Sequence, residues 1–291
     1  MEIFGIPHQA FLGQLMLGLV NGAFYAMLSL GLAVIFGLLD IVNFAHGALY
    51  MLGAMASWIM LDKLGVNFWL SLILAPLIVG ALGVVIERSF LKRLYGLDPL
   101  YGLLLTFGLS LIFEGVFRYL YGSSGSSYPV PELLSGAANL GFMVLPNYRA
   151  FVVVASLAVC LGTWFLIERT RLGAYLRAGT ENAKLVQAFG VNVPLMVMLT
   201  YGAGAALAGV LAAPIVQVTP HMGSNLIIVV FAVVVIGGMG SILGSVVTGL
   251  GLGLVEGLTR VFYAEASNVV VFVVMVIVLI LRPAGLFGKD A

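Results

Sequence analysis

The chain has 291 residues, of which 62% are hydrophobic and 9% charged. Water-soluble domains carry about 25% charged residues, so this composition excludes a soluble enzyme and defines a membrane protein with several spans. A formal net charge of +1 gives no case for a nucleic acid as partner, and the single cysteine, Cys160, excludes an intrachain disulfide and reads as a small buried hydrophobe.

Apolar runs of helical length set the expected fold: an all-α polytopic transmembrane bundle of eight or nine spans. They fall at residues 11–35, 44–61, 68–86, 100–119, 150–167, 194–213, 225–241, 243–260 and 266–281, within a single transmembrane domain covering 1–291. No appended soluble domain is expected, because the polar segments are too short to bury a core. A cleaved signal peptide is not expected either, since no Lys/Arg-rich region or cleavage site precedes the first apolar run.

The first span carries Asn21-Gly22 in its middle. Within a bundle this pair offers a close helix contact, with Asn21 hydrogen-bonded inside. Between the first two runs lies Asp40–Gly47, with Asp40, Asn43 and His46 among apolar residues. It is too apolar for an aqueous loop and too polar for a lipid-facing helix. It reads either as a broken or re-entrant element, with Asn43 capping a helix that opens at Ala45, or as a tight cytoplasmic turn. The longest polar stretch, Tyr121–Arg149, holds a Ser/Gly cluster and three prolines. It is expected outside, with a short surface helix over Glu132–Ala138. Toward the C-terminus, Gly237-Gly238-Met239-Gly240-Ser241 interrupts two apolar runs and reads as a small-residue turn or helix crossing.

Lys and Arg distribution orients the chain. With nine crossings, Arg88, Lys92, Arg93, Arg169, Arg171, Arg177, Lys184, Arg282 and Lys289 fall on one side, and Lys63, Arg118, Arg149 and Arg260 on the other. The first group belongs in the cytoplasm, which places the N-terminus outside and the C-terminus inside. With eight crossings only the N-terminus changes side.

Glu114–Tyr121 and Glu256–Tyr263 share the pattern E-G-x-x-R-x-x-Y. Both sit at outward-going span ends, so a duplication would be parallel, a layout transporters use. In each copy the acid and the arginine are four apart and share a helix face, so Glu114–Arg118 and Glu256–Arg260 are expected as structural ion pairs. The alternative is two interfacial pairs that arose separately.

Motifs for chemistry are missing. His8, His46 and His221 are far apart and lack metal-ligand spacing, and no nucleophile elbow, H-E-x-x-H or Walker lysine occurs. No metal and no bound cofactor are expected. Residues 168–192 instead form a charged island between two uncharged tracts. Within it Arg171, Leu172, Tyr175, Leu176, Arg177, Glu181, Lys184 and Leu185 alternate charge with apolar points, as in an amphipathic docking helix on the cytoplasmic side. The element reads as the handle by which a water-soluble partner drives a non-catalytic pump subunit. Asn43, His46 and Asn21 are the candidates for the translocation path. A proton- or sodium-coupled carrier fits less well, because Asp40, Glu114 and Glu256 all sit toward helix ends.

Four stretches resemble the permeases of bacterial branched-chain amino-acid ABC importers: Phe36–Ala54 (FGLLDIVNFAHGALYMLGA), Glu168–Val193 (ERTRLGAYLRAGTENAKLVQAFGVNV), Gly237–Gly253 (GGMGSILGSVVTGLGLG) and Arg282–Gly288 (RPAGLFG). They occur in order along the whole chain, and its length is similar to the shorter, LivH-type partner of the permease pair. The resemblance implies a heterodimer with a second homologous permease in the inner membrane. It also implies two cytoplasmic ATPases that hold ATP and Mg, and a periplasmic substrate-binding protein. Family members also carry urea, short amides or other small carboxylates. Gly179-Thr180-Glu181-Asn182 departs from the family's usual Ala-x-x-Glu/Asp at this place, which bears on the identity of the ATPase contacts.

Overall fold

The computed structural model describes the chain except residues 1, 4–5, 40–42, 95–96, 172, 176–177, 179–184, 187, 191–204 and 289–291, and gives the backbone alone at 2–3, 6, 37–39 and 99. The described helices are α1 (His8–Leu39), α2 (Ala45–Leu64), α3 (Phe68–Ser89), α4 (Pro99–Tyr121), α5 (Asn147–Arg169), α6 (Met222–Gly237), α7 (Ile242–Phe262) and α8 (Val270–Leu281). Residues 205–212 are helical as well. Strands are confined to two small hairpins among the described residues, Glu2–Ile3 with Ile6–Pro7 and Ala137–Asn139 with Val144–Pro146.

The chain is an all-α polytopic membrane protein. Five helices are long and apolar enough to cross a bilayer, over His8–Phe36, Phe68–Arg93, Leu100–Tyr121, Asn147–Arg169 and Ile242–Phe262. α6 and α8 are apolar but shorter, at 16 and 12 residues. α2 has 20 residues, but Asp62 and Lys63 close its last turn. Of the expected span at 194–213, residues 194–204 lie outside the described residues. The surface helix expected over Glu132–Ala138 is a single 3-10 turn at Glu132–Leu134, followed by a strand at Ala137–Asn139.

Local sequence explains where several helices begin. Asn67 caps α3, its side-chain oxygen accepting from Leu70 N at 2.9 Å. Asp98 does the same for Leu100 N at 2.9 Å, and Pro99 opens α4 where a missing N–H costs nothing. Ser241 caps α7, accepting from Gly244 N at 3.1 Å.

The chain divides into two compact units. The first comprises Met1–Leu30, Val130–Leu161 and Val229–Ala291. Here α1 and α7 run antiparallel with backbones in direct contact. A methyl group on Gly18 or Gly22 of α1 would overlap the backbone around Gly249, Leu250 and Gly253 of α7, and one on Gly257 would overlap Gln14. Lipid tails are as apolar as leucine, so hydrophobicity does not drive helices together in a bilayer; close packing of small residues does. The buried stripe of α7 accordingly holds Gly244, Ser245, Thr248, Gly249, Gly253, Glu256 and Gly257, while Leu243 and Val247 face outward. α8 packs on α7 after a 3-10 turn at Ala264–Asn268.

The second unit comprises Gly31–Pro129 and Gly162–Ile228. Its central helix is α2, buried without interruption from Ala45 to Met55, against α3 and α4. Helical residues 205–212 lie along it as closely as backbones allow, with Gly53 against Ala206 and Gly209 against Tyr50. α3 turns large apolar side chains outward, among them Ile73 and Leu77, which is the surface hydrocarbon requires.

Candidate functional site

Asn43 and His46 stand at the start of α2 and are 3% and 1% exposed. The Asn43 side-chain oxygen accepts from Ala45 N at 2.9 Å, an Asx-type turn that satisfies a helix-start donor. Phe44 N donates to Thr106 Oγ1 of α4 at 3.2 Å, and the Phe44 ring meets Phe107 edge-on with centroids 6.0 Å apart. The helix start is thus anchored to α4 by backbone, hydroxyl and ring. One turn on, Gly47 abuts Gly223 near the start of α6, where a side chain on either would overlap the other's backbone.

The beginnings of α2 and α6 therefore meet, and beside them sits an acid. Glu114 of α4 accepts from Ser224 Oγ at 3.0 Å and lies 2.8 Å from His221 Nδ1, through different carboxylate oxygens. Ser224 Oγ also bonds the His221 carbonyl at 3.0 Å. The expected Glu114–Arg118 pair is not formed: Arg118 is exposed, and among the described residues no lysine or arginine reaches within 4.0 Å of Glu114. The i,i+4 spacing allows such a pair, but the carboxylate turns across to α6, where two donors converge.

The second acid behaves differently. Glu256 pairs with Arg260 one turn on, at 2.6 Å. Tyr25 of α1 donates to its other oxygen at 2.7 Å, and Asn21 Nδ2 reaches the first at 3.4 Å. Asn21 thus faces α7 with its neighbour Gly22. The two E-G-x-x-R-x-x-Y copies accordingly build different local structures.

Gly237–Ser241 joins α6 to α7 as a turn, and the C-terminal segment docks onto it. Leu286 N donates to Ile236 O at 2.8 Å and Phe287 N to Gly237 O at 3.1 Å, closing carbonyls that the end of α6 would leave open. Gly238 and Gly285 have φ of +99° and +82° and abut each other, so both positions require glycine. Gly240 follows at φ +83°.

In the charged island α5 ends at Arg169, and Thr170 bonds back to Leu166 O. Arg171, Tyr175 and Leu185 are exposed. Leu172, Leu176, Arg177, Glu181 and Lys184 lie outside the described residues. No group of three His, Cys, Asp or Glu is arranged to hold a metal among the described residues.

Sequence reasoning missed Tyr25, Thr106, His221 and Ser224. His221 was readable only as a polar turn residue, although Pro220-His221-x-x-Ser224 before an apolar run is a helix-start signal.

Fold and site together define a membrane permease assembled from helices joined by small residues, with acids paired between helices. Residues 14–279 match the family described as branched-chain amino acid transport system / permease component, and the chain belongs to that family. It is 30% identical to the high-affinity branched-chain amino acid transport system permease protein BraD of Pseudomonas aeruginosa, over 96% of both chains. It is 28% identical to LivH of Escherichia coli, a permease protein of the same description, again over 96% of both. Among solved structures, PsaBC from Streptococcus pneumoniae in complex with Fab aligns over 96% of this chain and 93% of that one, at 16% identity and a TM-score of 0.45.

Proposed function

We propose that this chain is the permease subunit of an ATP-driven importer that moves branched-chain amino acids across the inner membrane after delivery by a periplasmic binding protein. The observation that carries this reading is likeness along the full length to two permeases of that description. The packing supports it. Backbone contacts at Gly47–Gly223, Gly53–Ala206 and Gly209–Tyr50 are joints that can slide without dragging bulky side chains through each other.

A second homologous permease and two cytoplasmic ATPases complete the assembly, with ATP and Mg held by the ATPases. The Lys/Arg-rich loops and the C-terminus face the cytoplasm, eight or nine segments cross, and residues 168–192 seat in the ATPase. Asn43 and His46 line the path toward its inner half. The test is reconstitution in liposomes. The four-subunit complex with loaded binding protein should accumulate leucine, isoleucine and valine on ATP, while this chain alone should neither hydrolyse ATP nor take them up. Gradient-driven uptake by the chain alone would overturn the pump reading, and selective uptake of urea or short amides by the complex would overturn the substrate.

A further inference from the structure

Glu114 and Glu256 both sit within membrane helices, and they are neutralised in unlike ways. Glu256 has a permanent counter-cation, Arg260, on its own helix at 2.6 Å. Glu114 has none among the described residues: its partners are the Ser224 hydroxyl at 3.0 Å and His221 Nδ1 at 2.8 Å. Among the described residues the Glu114 carboxylate is met by these two hydrogen-bonding groups and the positive end of α6, with no fixed counter-cation. A charge at membrane depth without a fixed partner is expensive and marks a working site.

The depth follows from α4 itself. At 1.5 Å per residue, Glu114 lies about 22 Å along the helix from Pro99 and about 10 Å from its end at Tyr121. The cluster is also open, since the His221 side chain is 41% exposed and that of Glu114 14%. A half-exposed imidazole hydrogen-bonded to a carboxylate at this depth belongs against water or solute rather than against lipid tails. Leu111 and Phe107 lie one and two turns earlier on the same face of α4, and both are exposed. An acceptor of positive charge therefore stands directly beside an apolar strip.

We propose that Glu114, seated between His221 and Ser224, takes the α-ammonium group of an amino-acid substrate in transit, with Leu111 and Phe107 receiving its branched side chain. The proposal rests on the amino-acid permease reading above and adds the residue that distinguishes an amino acid from its uncharged mimics. The chemistry is exchange. The arriving ammonium donates to the carboxylate in place of the imidazole, so the acid is never left bare and the solute meets no deep trap. Glu256 cannot serve this way, because Arg260 already occupies it.

The experiment uses the complete importer in liposomes, with leucine-loaded binding protein. Glu114→Gln should lower leucine uptake about ten-fold or more, the usual worth of a hydrogen bond to a charged group. ATPase stimulation by the loaded binding protein should persist, so that less leucine is moved per ATP. Glu114→Asp should recover part of the loss. The thiol of a Glu114→Cys variant should be modified by a small cationic methanethiosulfonate from the aqueous phase and protected by substrate turnover; the chain's own Cys160 is buried. Uptake by Glu114→Gln equal to the parent overturns the proposal. Loss of assembly in both the Gln and Asp variants, or an introduced thiol reached only by lipid-soluble reagents, overturns it in favour of packing. The parent complex failing to move any amino acid would instead refute the permease reading, and that control is read first.

Discussion

Gly47 of α2 and Gly223 of α6 touch backbone to backbone: a methyl group on either would overlap the other's main chain. The contact fixes the meeting point of two helix starts, with Asn43 and His46 on one side and His221 and Ser224 on the other. Replacing either glycine by leucine should separate the helices rather than be absorbed, because the colliding atoms are backbone. Over-packing of this kind costs about 1–3 kcal/mol. Gly47→Leu and Gly223→Leu should lower thermal stability of the purified permease in detergent, while Gly13→Leu, which meets nothing within 4 Å, should not.

Asn43 and His46 separate a capping role from a path role. Loss of the Asn43 cap costs about 1 kcal/mol, too little to empty a membrane of protein. Asn43→Ala combined with His46→Ala should therefore leave membrane abundance near that of the parent and cut uptake. Abundance by immunoblot, read beside transport, decides between the roles. A fall in abundance with unchanged uptake per molecule would leave both residues as packing only.

How much of this was legible in the sequence depends on the type of signal. Span positions follow from long apolar runs, so α1, α3, α4, α5 and α7 lie where apolar length places them. Asn21-Gly22 was legible as an interhelix contact because asparagine in hydrocarbon needs a partner and glycine permits the approach. Glu256–Arg260 was legible from spacing alone. The same spacing misled at Glu114–Arg118, because i,i+4 geometry permits a pair but cannot weigh donors arriving from another helix. Tyr25 and Thr106 carried no signal: a tyrosine or threonine in an apolar run looks the same whether or not an acid or a helix start lies opposite. The docking of the Arg282–Gly288 segment on the Gly237–Ser241 turn was also out of reach, since its bonds are made by the backbone.

At Glu256 the order of effects is set by what each variant leaves behind. Tyr25→Phe removes one hydrogen bond from a carboxylate that keeps Arg260 and Asn21, a loss of about 1.5–3 kcal/mol at most. Glu256→Ala leaves Arg260 without its counter-charge, and breaking one side of a buried pair is the costlier change, about 3–5 kcal/mol. The arginine is about a third exposed, so solvent screening brings the effect below that range. Thermal unfolding should rank parent, Tyr25→Phe, then Glu256→Ala. Truncating Arg260 as well should restore part of the loss.

The C-terminal clasp gives a prediction about the α6–α7 turn. Leu286 and Phe287 donate to Ile236 O and Gly237 O, and Gly238 and Gly285 abut in conformations that side chains disfavour. Alanine at Gly238 or Gly285 adds steric conflict to backbone strain, each roughly 1 kcal/mol or more. Deleting residues 284–288 exposes both carbonyls. Hydrogen exchange at the end of α6 should rise in all three variants, with the deletion largest. Unchanged protection would mean that the turn holds itself.

The charged island supplies the last prediction. Residues 170–192 follow directly on α5, on the side expected to carry most of the Lys and Arg, and Arg171, Tyr175 and Leu185 are exposed there. Exposed apolar side chains on a loop that faces water favour association, and charges interleaved with them orient a partner more than they hold it. If the island seats in a cytoplasmic ATPase, its apolar points carry the binding and its charges the steering. Leu172→Ser together with Leu176→Ser should then release the ATPase during purification, or leave basal hydrolysis intact while abolishing its stimulation by loaded binding protein. Arg171→Gln should slow association mainly at low salt, where steering acts over a longer range. Full transport by the double serine variant with normal ATPase retention would move the docking site to the next basic loop on that side, around Arg88, Lys92 and Arg93.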